Sequence, residues 1–144
     1  MNRLEKLLEF LDNEPKDPFL KYALATEYLR LNNHEMALRF YLDLVKNHED
    51  YVGTYYHLGK LYELLQKPDQ ALLIYEQGIA LTKRVKDQHA LSELLGVYNS
   101  LVDEMEEWRG NEGKVEGWND GSLEGWNDGK IEDWKIGRND GRLK

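Results

Sequence analysis

The chain has 144 residues, of which 41% are hydrophobic and 32% are charged, and its formal net charge is −8. This length accommodates one modest domain with an appendage, but not two full cores. The negative charge disfavours nucleic acid as a partner, because a phosphate backbone would be repelled. The chain contains no cysteine, which excludes disulfides and thiolate zinc sites and fits the reducing cytoplasm where we expect the protein to reside. No segment is apolar over the ~18 residues that a membrane span needs, so we expect no membrane association.

The composition changes near residue 108. All four tryptophans and eight of the twelve glycines lie from residue 108 onward, whereas all three prolines lie before it. This shift predicts a folded domain over residues 1–107 and a separate low-complexity tail over residues 108–144.

The apolar spacing in the first segment is helical, beginning with Leu4, Leu7 and Leu11 on one face. Asp17 before Pro18 is typical of an N-cap followed by proline in the first turn. The segment shows little β-branched alternation and no hairpin turn that would indicate strands. We therefore predict an all-α domain with helices at about residues 2–13, 18–31, 34–47, 52–65, 68–84 and 87–107.

Five pairs of matching residues lie 34 positions apart in the sequence: Leu24 and Leu58, Ala25 and Gly59, Tyr28 and Tyr62, Ala37 and Ala71, and Tyr41 and Tyr75. Two antiparallel helices approach closely only where one offers a small residue and the other a large one, which explains the alternation of alanine or glycine with tyrosine. The pattern resembles the tetratricopeptide repeat, a helical hairpin of this period. These ten residues are therefore the predicted repeat-packing set.

This resemblance implies antiparallel helical hairpins stacked as a short right-handed superhelix. Residues 2–13 resemble the second helix of a truncated preceding unit, because Pro15 falls where the family often closes a repeat. The helix predicted at 87–107 recovers a first-helix pattern only after about two extra residues. It is predicted to be a C-terminal cap, as the ends of stacked repeats require.

The resemblance also implies that the first helix of each hairpin lines a concave groove that binds a peptide or protein segment. Phe19, Tyr22 and Tyr56 are expected to be exposed aromatic contacts there. Arg30 and Lys60 could attract an acidic ligand. The complete predicted groove set is Phe19, Tyr22, Thr26, Leu29, Arg30, Tyr56, Lys60, Glu63, Leu64 and Asn99.

One known ligand mode of the family is not expected. Chaperone-binding relatives hold a terminal carboxylate with lysine, asparagine and arginine from successive first helices. The corresponding places here carry Tyr22, Thr26 and His57, which cannot form that cationic clamp.

Catalytic motifs are not found in the sequence. His34-Glu35 begins like a metalloprotease motif, but Leu38 occupies the place of the second histidine. There is no phosphate-binding glycine loop, nucleophile elbow or cysteine nucleophile. We predict that the protein is not an enzyme and requires no cofactor or metal.

The tail repeats with a period of eight, since Gly117-Trp118-Asn119-Asp120-Gly121 recurs at residues 125–129. A helix there would carry a glycine in nearly every turn, each costing about 1 kcal/mol relative to alanine. The tail is therefore expected to be disordered or marginally structured. Its tryptophans could dock on a protein surface, or the repeat could be a product of sequence slippage without function.

The sequence thus predicts a protein-binding adaptor or scaffold. The alternative is a structural module that self-assembles into homo-oligomers through its end helices or its tryptophan-rich tail.

Overall fold

The computed structural model describes residues 1–110, and the side-chain environments of residues 1–108. Within this range all regular structure is α-helical and there is no strand, which confirms the all-α prediction. The six helices are α1 (Arg3–Asn13), α2 (Pro18–Arg30), α3 (His34–Asn47), α4 (Gly53–Leu64), α5 (Pro68–Val85) and α6 (Gln88–Gly110).

The last helix extends beyond its predicted end. It spans Gln88–Gly110, against the predicted 87–107, so Trp108 lies within α6. The expectations about order and tryptophan docking from residue 111 onward lie outside the described residues.

The starts of α1 and α2 are fixed by side-chain caps. The Asn2 side chain accepts a hydrogen bond from the Glu5 N–H while the Glu5 carboxylate accepts one from the Asn2 N–H, which is a capping box. Asp17 caps α2, as predicted, by accepting from the Phe19 N–H at 2.9 Å. Pro18 occupies the first turn of α2, where a missing N–H has no cost.

The turns after α2 and α4 have the same backbone geometry. Asn32 and Gln66, which occupy equivalent places in the two repeats, both have φ 62 in the left-handed region. The next residue then donates back into the helix: Asn33 N–H to Tyr28 O, and Lys67 N–H to Tyr62 O, both at 2.8 Å. These bonds satisfy carbonyls at the helix ends, so the repeat is present in the backbone as well as in the side chains.

The described residues fall into two compact units that divide within α4, after Thr54. In the first unit, α2 packs against both α1 and α3. Its core contains Leu7, Leu20, Ala23 and Leu24, with Leu4, Leu11, Tyr28 and Phe40 packed around them. An ion pair between Lys21 Nζ and Asp43 Oδ2, at 3.1 Å, also joins α2 to α3.

In the second unit, glycines allow close approach between helices. A Cβ atom built on Gly59 of α4 would lie 2.6 Å from Cδ1 of the Tyr75 ring of α5. One built on Gly78 of α5 would lie 2.6 Å from Tyr55 Cβ and 2.9 Å from Leu94 Cδ1. Since both separations are below normal contact distance, α5 fits against α4 and α6 only because these side chains are absent.

Candidate functional site

The predicted repeat-packing residues lie inside the two units. Leu24, Ala25, Ala37 and Tyr41 are fully buried, and so are their counterparts Leu58, Ala71 and Tyr75. Gly59 and Tyr62 are also buried. Only Tyr28 is half-buried; its ring stacks on Phe40, with 5.9 Å between the ring centroids.

The predicted groove residues of α2 are all accessible, but to different degrees. Phe19 is 58% exposed, and Thr26 and Arg30 are also accessible. Tyr22 and Leu29 are half-buried. The expectation that Tyr22 is an exposed aromatic residue is therefore wrong, because its side chain is only partly accessible.

Tyr22 is half-buried because it packs against two other tyrosines. Its ring centroid is 6.4 Å from that of Tyr41, in an edge-to-face arrangement, and 5.5 Å from that of Tyr51. Burial, together with the neighbouring Tyr51, raises the pKa of Tyr22. Tyr51 is a contact that sequence analysis missed, because it lies in the connection before α4 and has no tyrosine at the equivalent place one repeat period earlier or later.

The hydroxyl groups of Tyr41 and Thr26, which lie next to Tyr22, are uncharged at physiological pH. Burial raises the pKa of Tyr41 to about 12. Its Oη lies 3.5 Å from Thr26 Oγ1, which itself donates to the Tyr22 carbonyl at 3.0 Å. This part of α2 therefore offers aromatic and hydroxyl contacts without charge.

The positive charge of Arg30 is already paired with a carboxylate of the protein. Its guanidinium binds both carboxylate oxygens of Glu27, with Nε at 3.2 Å from each. Arg3 of α1 approaches the same carboxylate, with Nε 3.2 Å from Oε1. The Glu27 side chain is only 4% exposed, so the arginines provide the charge compensation that a buried carboxylate requires.

The Glu27 cluster predicts a pH dependence of stability. The hydrogen bond from Arg30, with the charges of Arg30 and Arg3, lowers the pKa of Glu27 from its ordinary value of 4.5. The stabilisation is therefore complete above pH 4.5 and is lost as the pH falls through the lower folded-state pKa. We expect Glu27→Gln to reduce the free energy of unfolding at neutral pH, and this deficit to shrink as the solution is acidified.

Denaturant unfolding at a series of pH values measures this deficit. Glu35→Gln is the matched control, because Glu35 is 78% exposed and pairs with Arg39 at 3.6 Å on the helix surface. Such exposed pairs contribute about 0–1 kcal/mol. A Glu27→Gln deficit that stayed constant down to the acid limit would contradict this assignment.

On α4, the predicted groove residues are again accessible. Leu64 is 59% exposed, Lys60 is exposed, and Tyr56 and Glu63 are half-buried. The rings of Tyr56 and His57 meet edge to face, with 5.3 Å between their centroids. The expectation that Tyr56 is an exposed aromatic residue is therefore also wrong, because its side chain is half-buried.

Glu63 is held from two sides. It accepts a hydrogen bond from Tyr75 Oη, and Lys60 Nζ lies 3.9 Å from its Oε1. Burial and this carboxylate raise the pKa of Tyr75. Glu63 therefore joins α4 to α5 by a hydrogen bond while its side chain remains partly exposed. Lys60 has this acidic residue as a neighbour within its own helix.

The remaining predicted groove residue, Asn99, is exposed on α6. Among the side chains that the structure describes, no group of three His, Cys, Asp or Glu could hold a metal ion. None of the helices within residues 1–110 combines the length and apolarity needed to cross a membrane.

Comparison with known proteins identifies the same repeat. A family model described as tetratricopeptide repeat matches residues 52–84. A crystal structure of a tetratricopeptide repeat domain protein from Salinibacter ruber is 46% identical and superposes with a TM-score of 0.59, covering 60% of this chain and 97% of that one. A solution NMR structure of a protein of that description, also from Salinibacter ruber, is 47% identical with a TM-score of 0.59, covering 60% and 88%. No curated protein sequence matches the chain.

These repeats are generally protein–protein interaction modules and typically serve as non-enzymatic scaffolds. Residues 1–110 form six helices packed as hairpins, residues 52–84 match the repeat, and the likeness extends along nearly the full length of a solved relative. The chain therefore belongs to the tetratricopeptide repeat family.

Proposed function

We propose that this protein binds a segment of a partner protein through the accessible side chains of α2 and α4. The supporting observation is that each helix has one set of side chains in the core and another set that remains accessible. The repeat-packing residues of α2 and α4 are almost all buried, whereas every predicted binding residue on the same helices remains at least partly accessible.

The apolar members of the set are the strongest contact candidates. Phe19 and Leu64 are 58% and 59% exposed, although an apolar side chain is more stable when it is removed from water. Burying these two apolar side chains against a partner would remove them from water, which favours association.

The charges on these helices favour an apolar or mixed ligand over a strongly acidic one. Arg30 is already bound to Glu27, and Lys60 has Glu63 as a neighbour. An acidic ligand would compete with carboxylates that the protein itself supplies. We therefore infer that the ligand contributes apolar side chains to Phe19 and Leu64.

The test is a double substitution of the two most exposed apolar residues of the set, Phe19→Ala with Leu64→Ala. These positions are preferable to Tyr22, because Tyr22→Ala would also remove packing against Tyr41 and Tyr51. Val85→Ala is the matched control, since Val85 of α5 is also an exposed apolar side chain, at 45%.

Proteins captured from an extract of the source cells by the immobilised full chain are quantified by mass spectrometry. The affinity of any recovered partner is then measured by calorimetry. We expect the double variant to bind that partner at least about tenfold more weakly, since about 1.4 kcal/mol corresponds to a factor of ten, and Val85→Ala to bind like the unmodified chain. Equal affinity of the double variant and the unmodified chain would refute the assignment of the binding surface.

A further inference from the structure

The helix α6 has an apolar face that is only partly covered. Leu94, Leu101 and Met105 are buried. A second apolar stripe lies beside them on the same helix, formed by residues separated by four, three and four positions. Its side chains are half-buried or exposed. This open stripe consists of Leu91, Leu95, Tyr98 and Val102.

The register of the repeat indicates what such a stripe normally contacts. With the two extra residues before α6, Leu95 occupies the place of Gly59 in α4 and Ala25 in α2. Gly59 receives the Tyr75 ring of the second helix of its hairpin, and Ala25 is fully buried. Leu95 is 37% exposed, so α6 is a first helix whose second helix is not supplied within residues 1–110.

The helix α1 also exposes an apolar residue at a position that is covered in the other second helices. Phe10 lies one repeat period before Leu44 and two periods before Gly78 in the sequence. Leu44 is fully buried, and Gly78 lies against Tyr55 of its own first helix. Phe10 is 52% exposed, so no first helix within residues 1–110 covers α1 at this position.

The charges at the relevant ends are opposite. In an antiparallel hairpin, the end of the first helix lies beside the start of the second. The last turns of α6 carry the exposed acidic residues Asp103, Glu104 and Glu106. The start of α1 carries two exposed basic residues, Arg3 and Lys6, against one exposed acidic residue, Glu5, together with the positive end of the helix dipole, which favours this pairing over α6 with α6.

We propose that α1 of one copy of this protein packs against the open stripe of α6 in a second copy. Together they pair, across two molecules, two helices whose hairpin partners are not found within residues 1–110. Because Leu95 and Phe10 stand where the internal hairpins carry Gly59 and Gly78, the two helices are expected to lie farther apart than α4 and α5. The contact joins different surfaces of the two copies, so each associated molecule retains one unused end and assembly proceeds head to tail. This inference is independent of the proposed ligand surface on α2 and α4.

The mass of the full chain in solution, measured by light scattering from low to high micromolar concentration, tests the proposal. We expect the unmodified protein to exceed its monomer mass of 17.0 kDa increasingly with concentration. Phe10→Glu and Leu95→Glu each place a charge in the contact and should each stay at the monomer mass. Leu31→Glu, at an exposed residue outside both faces, should associate like the unmodified chain.

Mixing the two end variants distinguishes head-to-tail contact from like-with-like contact. Each variant keeps one intact end, so an equimolar mixture should form a species of twice the monomer mass and nothing larger. Circular dichroism establishes that both variants are folded. The proposal is overturned if the unmodified chain is monomeric throughout, if either folded variant alone still associates, or if the mixture remains monomeric.

Discussion

Replacing Gly59 with alanine is expected to lower the free energy of unfolding by up to about 2 kcal/mol, because overpacking a core costs about 1–3 kcal/mol and the gain in helix propensity is smaller. The new methyl group would overlap the ring of Tyr75, with 2.6 Å to both Cδ1 and Cζ. That ring cannot move aside easily, because it is fully buried and its hydroxyl is bound to Glu63. The gain of about 1 kcal/mol in helix propensity offsets only part of the cost.

Gly96→Ala is the matched control for this substitution. Gly96 also lies within a helix, but a Cβ atom there meets nothing within 4 Å. We expect this variant to be more stable than the unmodified chain by about 0.5–1 kcal/mol. Urea unfolding followed by circular dichroism compares the three proteins. If Gly59→Ala were as stable as Gly96→Ala, the close approach of α4 and α5 at this point would be wrong.

Leu24→Ala is expected to have the largest effect, a loss of about 2–5 kcal/mol. Leu24 is fully buried in the core formed with Leu7 and Leu20, so truncation leaves a cavity between α1 and α2. Because a folded domain is typically stable by about 5–15 kcal/mol, we expect a large shift of the unfolding midpoint to lower denaturant concentration.

Leu64→Ala provides the comparison at an exposed leucine. Leu64 is 59% exposed, and substitutions at such positions usually change stability by about 0.5 kcal/mol or less. The same denaturant titration measures both variants. Similar midpoints for Leu24→Ala and Leu64→Ala would show that the core around Leu24 is not packed as described.

The helices and their packing residues were predictable because they depend on local spacing and on a repeat that occurs twice. Small residues at positions 25 and 59 and tyrosines at 41 and 75 carry the same physical constraint, so each copy corroborates the other. The composition changes at Trp108, whereas α6 continues to Gly110, so a change in composition does not mark the end of the helix.

The environment of the predicted groove residues is less predictable from sequence, because it depends on contacts outside the repeat. Tyr22 is half-buried by Tyr51, a residue of a connecting segment. Arg30 is bound to Glu27, which Arg3 of α1 also approaches. The reach of long side chains between helices leaves no periodic signal in a single sequence.

The matching turns at Asn32 and Gln66 have a consequence for how such a chain can lengthen. Both positions have φ 62 and are followed by the same 2.8 Å bond back into the preceding helix. A gene duplication that copied the stretch between them in frame would reproduce a compatible turn at each new junction. Growth by tandem insertion therefore requires no new loop geometry, and one recombination event could extend the protein by a complete hairpin-sized module.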